Sequence, residues 1–216
     1  MYDLSQYQVA VFDCDGVILD SNRVKSDAFA LALESERTDL VSEFVRYHQE
    51  FGGVSRYVKF EHFFKNIKKV QNYDEDLKKA LHRYAQLSKQ GLLTCEVIPG
   101  VVDTLEYFRS QGVPCIVASG GDEQEVNDVL KTRDLAQYFV KIMGSPKTKE
   151  DNLNVARADG LLQGKGVYFG DARSDYNAAT QFDLDFVYIS GVSEWYQGKD
   201  FCMQESLPVY EDFSHF

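Results

Sequence analysis

Val9-Ala-Val-Phe-Asp13-Cys-Asp15-Gly16-Val-Ile-Leu-Asp20-Ser21 is the stretch from which the rest of the chain can be read. The apolar run Val9 to Phe12, bounded by a turn, reads as a fully buried strand, although periodicity alone leaves a buried helix open. It runs straight into two aspartates. Carboxylates at the end of a buried strand are costly unless a cation or hydrogen-bond donors compensate them. Alternate residues of a strand share a face, so Asp13 and Asp15 could point the same way. Gly16 lets the backbone turn where a side chain would obstruct it. The chemistry this suggests is a metal-assisted site with Asp13 as nucleophile. The competing reading is an acidic turn that caps the next segment.

Outward from this stretch the texture changes twice. From Arg23 to about Gln90 the sequence is rich in helix formers and charge. Phe60, Phe63, Phe64 and Ile67 recur at helical spacing, as do Leu77, Leu81 and Tyr84. Glycines interrupt this block only at Gly52-Gly53, which predicts roughly four or five helices and a helical core for their aromatics. Past Gly91 strands and helices alternate. Cys115 to Ala118, Phe139 to Met143, Val167 to Phe169 and Phe186 to Ile189 read as strands. Val101 to Gln111, Asp122 to Lys131, Lys149 to Ala158 and Ser174 to Gln181 read as helices, with Asp122 and Glu125 spaced like a capping box. Alternation of this kind implies a parallel sheet covered on both faces. The first strand belongs with these, so the helical block is an insertion whose two ends must lie close together. The tail, Trp195 to Phe216, reads only as closing strands or loops.

Composition bounds the function. The chain has 216 residues, 44% of them apolar, with 23 basic and 34 acidic side chains and a net charge of −11. That balance argues against general binding to nucleic acid or an anionic membrane, which needs a basic face. Cys14, Cys95, Cys115 and Cys202 are scattered, and none forms a C-x-x-C pair, so reduced structural thiols are expected. Residues 1–8 lack the features of a secretory leader and no run reaches membrane-spanning length, so a cytoplasmic protein is expected.

Ligand sites in such sheets lie beyond the carboxyl ends of the strands. There this sequence places Asp13 and Asp15, then Ser119-Gly120-Gly121, then Lys147-Thr148-Lys149, then Gly170-Asp171-Ala-Arg-Ser-Asp175. A hydroxyl, bare backbone amides and a following helix N-terminus suit a phosphate. Each signal is weak alone. Together they are the inventory for Mg²⁺ and a phosphoryl group, since a hard cation prefers oxygen ligands.

These motifs, Asp13-Cys14-Asp15-Gly16-Val17, Ser119-Gly120, a lysine at 147–149 and Gly170-Asp171-Ala-Arg-Ser-Asp175, closely resemble those of the haloacid dehalogenase superfamily of phosphohydrolases. The branch resembled carries a helical cap after the first motif, as in phosphoglycolate phosphatases and β-phosphoglucomutases. The resemblance implies an α/β, Rossmann-like core with a parallel sheet in residues 1–20 and 92–216, and an all-helical cap in 21–91. It implies that Asp13 attacks phosphorus, and that Asp15 protonates the leaving alcohol and then activates water. Mg²⁺ would be held by the Asp13 carboxylate, the Asp15 backbone carbonyl and Asp171, with Asp175 in support. Ser119, with Gly120, and a lysine would bind the phosphoryl oxygens. Asp15 should then titrate higher than Asp13.

Two lysines compete for that last role. Lys147 has the family's common spacing to a following aspartate, Asp151. Lys149 would open the next helix behind a Thr148 N-cap, with Asp151 as its N3 partner, and is favoured. In the cap, Gly52-Gly53 precedes Arg56 and Lys59, three apart and on one helix face. They could hold a second anionic group of the substrate; the other reading is solvated cations at a helix start. The expected function is phosphate-ester hydrolysis of a small metabolite, either a sugar phosphate or a phosphoglycolate-like acid, by a monomer or homodimer. A carbon–halogen hydrolase is disfavoured because it would lack Asp15. A phosphosugar mutase and a non-catalytic binding protein stay open as alternatives.

Overall fold

The computed structural model describes residues 2–216. Its strands are β1 Val9–Phe12, β2 Cys115–Asp122, β3 Phe139–Ser145, β4 Gly166–Gly170, β5 Leu184–Ile189 and β6 Val209–Tyr210. They form one sheet of six strands in the order β3-β2-β1-β4-β5-β6, with parallel pairing throughout. This is the expected α/β, Rossmann-like architecture. The chain winds outward from β1 in both directions, so the crevice where strand order reverses opens at the carboxyl end of β1.

Period-two alternation sorts the strand residues onto two cores. Ala10, Phe12, Val117, Phe169 and Val187 face one side, under α5 Val101–Ser110 and α6 Glu123–Thr132. Val11, Ile116, Ala118, Tyr168 and Phe186 face the other, under α7 Lys149–Ala158 and α8 Arg173–Gln181. All four residues of β1 are fully buried, which is why the motif opens on an unbroken apolar run.

The helical insertion comprises α1 Asn22–Ala32, α2 Thr38–Glu50, α3 Arg56–His62 and α4 Asp74–Thr94, with a π-helical turn, Phe63–Ile67, running on from α3. Its own core is aromatic: Phe29, Phe44, Phe60, Phe63, Phe64 and Tyr84 are buried together. Its two ends are tied where it leaves and re-enters the sheet layer. Asp20 N donates to Glu96 O at 2.9 Å and Ile98 N to Ile18 O at 3.0 Å, around a Leu19–Val97 antiparallel bridge.

Four expectations shift. Gly91 reads in sequence as the end of the helical block, but α4 runs through it to Thr94. A Cβ at Gly91 would run into Val24, so the glycine serves close approach of α1 and α4 rather than a break. Ser119-Gly120-Gly121 does not open a helix directly. The strand continues through a register shift to Asp122, which pairs with Ser145 of β3, and α6 begins at Glu123. The capping box expected from Asp122 and Glu125 is half made: Asp122 Oδ1 accepts from Glu125 N at 3.0 Å, but the Glu125 carboxylate goes elsewhere. The tail contains a helix, α9 Gly198–Gln204. No helix among the described residues is long and apolar enough to cross a membrane.

Phe44 is fully buried, with ring centroids 5.4 Å from Phe29 and from Phe60 and 5.2 Å from Phe63. Phe44→Ala should therefore cost about 3–5 kcal/mol, read as a lowered midpoint in urea denaturation.

Candidate active site

β1 ends at Phe12 and delivers Asp13 to the crevice, its amide donating to Phe169 O at 3.0 Å. Asp171 follows β4, and Asp175 stands on the first turn of α8. One carboxylate oxygen from each of Asp13, Asp171 and Asp175 lies within 4.8 Å of the others, all three residues being buried. Gly16 makes this approach feasible. Its φ of +73° suits glycine, and a Cβ there would collide with the Asp171 carboxylate and the Asn22 amide.

Lys149, the first residue of α7, reaches into the cluster. Its position follows from the local sequence. Thr148 Oγ1 accepts from Asp151 N at 3.1 Å, and Asp151 answers the Thr148 amide, a complete capping box that fixes the helix start. Lys149 Nζ stands 3.1 Å from Asp13 Oδ1 and pairs with Asp175. Lys147 is exposed at the preceding turn, so of the two competing lysines Lys149 is the one at the carboxylates. Burial opposes its charge, but Asp13 and Asp175 outweigh it and hold its ammonium well above the usual range.

Asp175 is saturated. Its Oδ2 accepts from the amides of Asp171 and Ala172 at 3.2 and 3.0 Å, and its Oδ1 from Tyr168 Oη at 3.0 Å as well as from Lys149. Asp13 is not. Its Oδ1 makes no hydrogen bond among the described residues, Lys149 lying within reach but off-angle. Burial pushes the Asp13 carboxyl up to about 7, against Lys149, with Asp175 and Asp15 adding to the rise. Burial, Asp13 and Asp175 likewise raise Asp171.

Asp15 departs from expectation. Burial alone would raise it, but Lys25 Nζ donates to its Oδ2 at 2.5 Å and Ser21 Oγ to its Oδ1 at 2.6 Å, and its carboxyl falls below the usual range. Burial and neighbouring charges thus hold Asp13 up and Asp15 down, the reverse of the expected order. The cause is Lys25, a cation on α1 that the sequence reading passed over.

Ser119 is fully buried and its Oγ accepts from Gly121 N at 3.0 Å. Gly120 meets the insertion: a Cβ there would strike Gly53 O. Ser174 Oγ donates to Gly52 O at 2.9 Å, so the Gly52-Gly53 loop is wedged between β2 and α8, over the carboxylates. The pair expected to read a substrate anion is not solvated at all. Arg56 and Lys59 are 6% and 2% exposed. The Arg56 guanidinium forms a two-pronged pair with Glu125 of α6. Lys59 Nζ bonds His48 Nδ1 at 2.7 Å and donates to His48 O at 3.2 Å.

Sequence reasoning therefore missed Asn22, Lys25, His48 and Glu194, all of which line the same cavity. Asn22 and Lys25 carried a usable signal. They stand one helical turn apart at the start of the insertion, beside the ribbon that ties it to β1. Glu194 carried none.

A model of the haloacid dehalogenase-like hydrolase family matches residues 10–189. The chain belongs to that family. Among curated relatives, phosphoglycolate phosphatase 1 of Pseudomonas aeruginosa is 28% identical over 80% of this chain and 65% of its own length. The chain thus spans less than two thirds of that relative. A phosphorylated carbohydrates phosphatase of Thermotoga maritima is 22% identical over 84% of each chain. Two solved structures share the fold. One is of a predicted phosphoglycolate phosphatase from Haemophilus somnus (TM-score 0.75, 16% identity, 98% and 97% of the two chains). The other is of β-phosphoglucomutase from Clostridium difficile (TM-score 0.74, 16% identity, 97% and 93%).

The Asp13 environment generates a stability test. A carboxyl raised to about 7 in the fold favours folding below its unfolded value of about 4 and loses that contribution as pH climbs to about 7. Metal-free Asp13→Asn should therefore melt above the wild type at pH 8, with the difference shrinking toward pH 4. A constant difference across that range would contradict the assignment.

Proposed function

We propose that this chain is a Mg²⁺-dependent phosphatase that hydrolyses a small phosphorylated metabolite through an aspartyl-phosphate on Asp13. The observation that carries this reading is the Asp13 carboxylate. It is buried at the end of β1 with Oδ1 unpartnered, flanked by Lys149 on one side and by Asp171 on the other.

The residues present fit a magnesium ion. They offer oxygen donors only, and Asp13 lies beside Asp171 with repulsion that a cation would relieve. Asp13, the Asp15 carbonyl and Asp171 would hold it, with Asp175 supporting through the backbone turn it organises. When bound, the ion would neutralise phosphoryl charge and keep the carboxylates ionised.

The chain's own residues account for the remaining steps. Asp13 attacks phosphorus in line, and Lys149 and Ser119 offer donors to the phosphoryl oxygens, so positioning and charge neutralisation do most of the catalysis. Asp15, two residues on, would give its proton to the leaving oxygen and, left ionised beside Lys25, would take one back from the water that hydrolyses the aspartyl ester. Residues 21–91 act as a cap on the core formed by 1–20 and 92–216. The space left between them is about 50 Å³, enough for a few waters, so a substrate would need the cap to lift. Closure excludes water and strengthens every charge interaction inside. Phosphate esters are also what the curated relatives are named for, which supports the substrate class.

Asp13→Asn keeps the shape and removes the attacking charge. Phosphate release from a panel of phosphorylated metabolites should fall by several orders of magnitude with folding intact, and chelation should abolish wild-type turnover reversibly on Mg²⁺ return. Near-normal release by folded Asp13→Asn, or full activity in excess chelator, would refute the mechanism. Phosphate that moves within the substrate without appearing in bulk would make the protein a phosphosugar mutase.

A further inference from the structure

His48 is a buried polar side chain of the cap wall that the steps above do not use. It is 8% exposed at the end of α2, and its ring packs 4.4 Å from the Phe29 ring. Lys59 Nζ donates to the His48 carbonyl oxygen at 3.2 Å and stands 2.7 Å from Nδ1; with the ammonium as donor there too, Nδ1 accepts and the ring proton sits on Nε2. Burial, with Lys59 and Lys25 adding, drives its pKa well below the usual range and keeps the ring neutral. The Nε2 donor has no hydrogen-bond partner among the described residues, and such a group is costly unless something meets it. The residue borders the same cavity as Asp13 and Asp15, with Nε2 itself out of reach of solvent.

Across from it stands Glu194, on the loop after β5. Glu194 Oε2 lies 3.9 Å from His48 Nε2, too far for a hydrogen bond between them. Glu194 is held in place by Ser26 Oγ at 2.8 and 2.9 Å and by Gln49 Nε2 at 3.2 Å. A donor and an acceptor facing each other across that gap suit one chemical group. A hydroxyl accepts from the first and donates to the second, with its oxygen about 2.8 Å from each. A carboxylate has no proton to give and would face the charge of Glu194.

The other charges around the cavity point the same way. Lys25 is matched by Asp15 and Arg56 by Glu125. Arg173 borders the cavity from α8 of the core rather than from the cap, its guanidinium over the Phe201 ring at 3.9 Å. Lys59 Nζ is turned onto His48. The cap wall therefore has little surplus positive charge with which to hold a second anion.

We propose that His48 and Glu194 form a hydroxyl-reading subsite, with Lys59 as the positioning residue that fixes the His48 tautomer. On the phosphatase reading above, this makes the substrate a phosphate ester of a polyhydroxylated alcohol, a polyol or sugar, rather than a phosphorylated carboxylic acid.

The test uses three small probes with Mg²⁺: sn-glycerol 3-phosphate, n-propyl phosphate, which lacks its hydroxyls, and phosphoglycolate. Wild-type kcat/KM should favour glycerol 3-phosphate at least tenfold over each of the others. In His48→Phe the ratio of glycerol 3-phosphate to n-propyl phosphate should collapse by tenfold or more. Glu194→Ala, on a partly exposed loop, should do the same and decides the matter if His48→Phe fails to fold by circular dichroism. Preference for phosphoglycolate, equal use of the first two probes, or a ratio unchanged in a folded variant would overturn the subsite. Failure of the phosphatase reading looks different, with no phosphate released from any probe or from p-nitrophenyl phosphate. Titration calorimetry of glycerol 3-phosphate against n-propyl phosphate then still decides the subsite, and equal affinities would overturn it.

Discussion

Three buried carboxylates around the end of β1 are the constraint on which the rest of this structure depends. Asp13, Asp171 and Asp175 lie close together, and burial, with the charge of Asp175 beside them, raises the carboxyls of Asp13 and Asp171. Such a cluster persists only if cations and donors are arranged around it. Lys149 is the main one, and its reach is fixed by a capping box at the start of α7. Tyr168 and two backbone amides satisfy Asp175. Removing the cation from a buried pair of this kind typically costs about 3–5 kcal/mol, because the partner charge stays behind. Asp13 Oδ1 is buried without a hydrogen bond among the described residues, and that residual imbalance is where chemistry becomes available.

The underside of the helical insertion is built by the same rule. Lys25 meets Asp15 and Arg56 meets Glu125, each pair joining the insertion to the sheet layer. Two backbone approaches complete the seal, Gly53 against Gly120 and Gly52 against Ser174. Glycine is needed at 120 because any side chain there would hold the two layers apart. These contacts are polar and local rather than a continuous apolar seam. Such interfaces resemble transient ones, and they fit layers that separate and reclose more readily than layers fused by a shared core.

Relatives illustrate why the substrate has to be argued from side chains. Neighbours sharing the fold at similar TM-scores include a predicted phosphoglycolate phosphatase and a β-phosphoglucomutase. In this chain the fold presents the carboxylates, and what binds beside them is left to the residues of the insertion that overhang them. Of its cations there, Lys25 and Arg56 are matched by acids and Lys59 is turned onto His48. A reading of the cap as a cationic anion trap counts charges without their partners.

What the sequence by itself determined was whatever depends on neighbours along the chain. The apolar run into Asp13, the period-two alternation of the strands, the Thr148-to-Asp151 cap and the glycine at position 16 are local signals with local causes. They were enough to place the sheet, the helical insertion, the carboxylates and Lys149. What only the tertiary structure decided was pairing at a distance. Arg56 looked free because Glu125 is 69 residues away. Glu125 looked like half of a capping box because Arg56 was not in view. Asp15 looked like the carboxyl with the higher pKa because Lys25, one element further on, folds back onto it. Gly91 looked like a helix end because Val24 lies on another helix. The physical reason is common to all four. A charge or a small residue has no fixed meaning until the fold supplies its partner, and Coulomb interaction and steric contact act through space rather than along the chain.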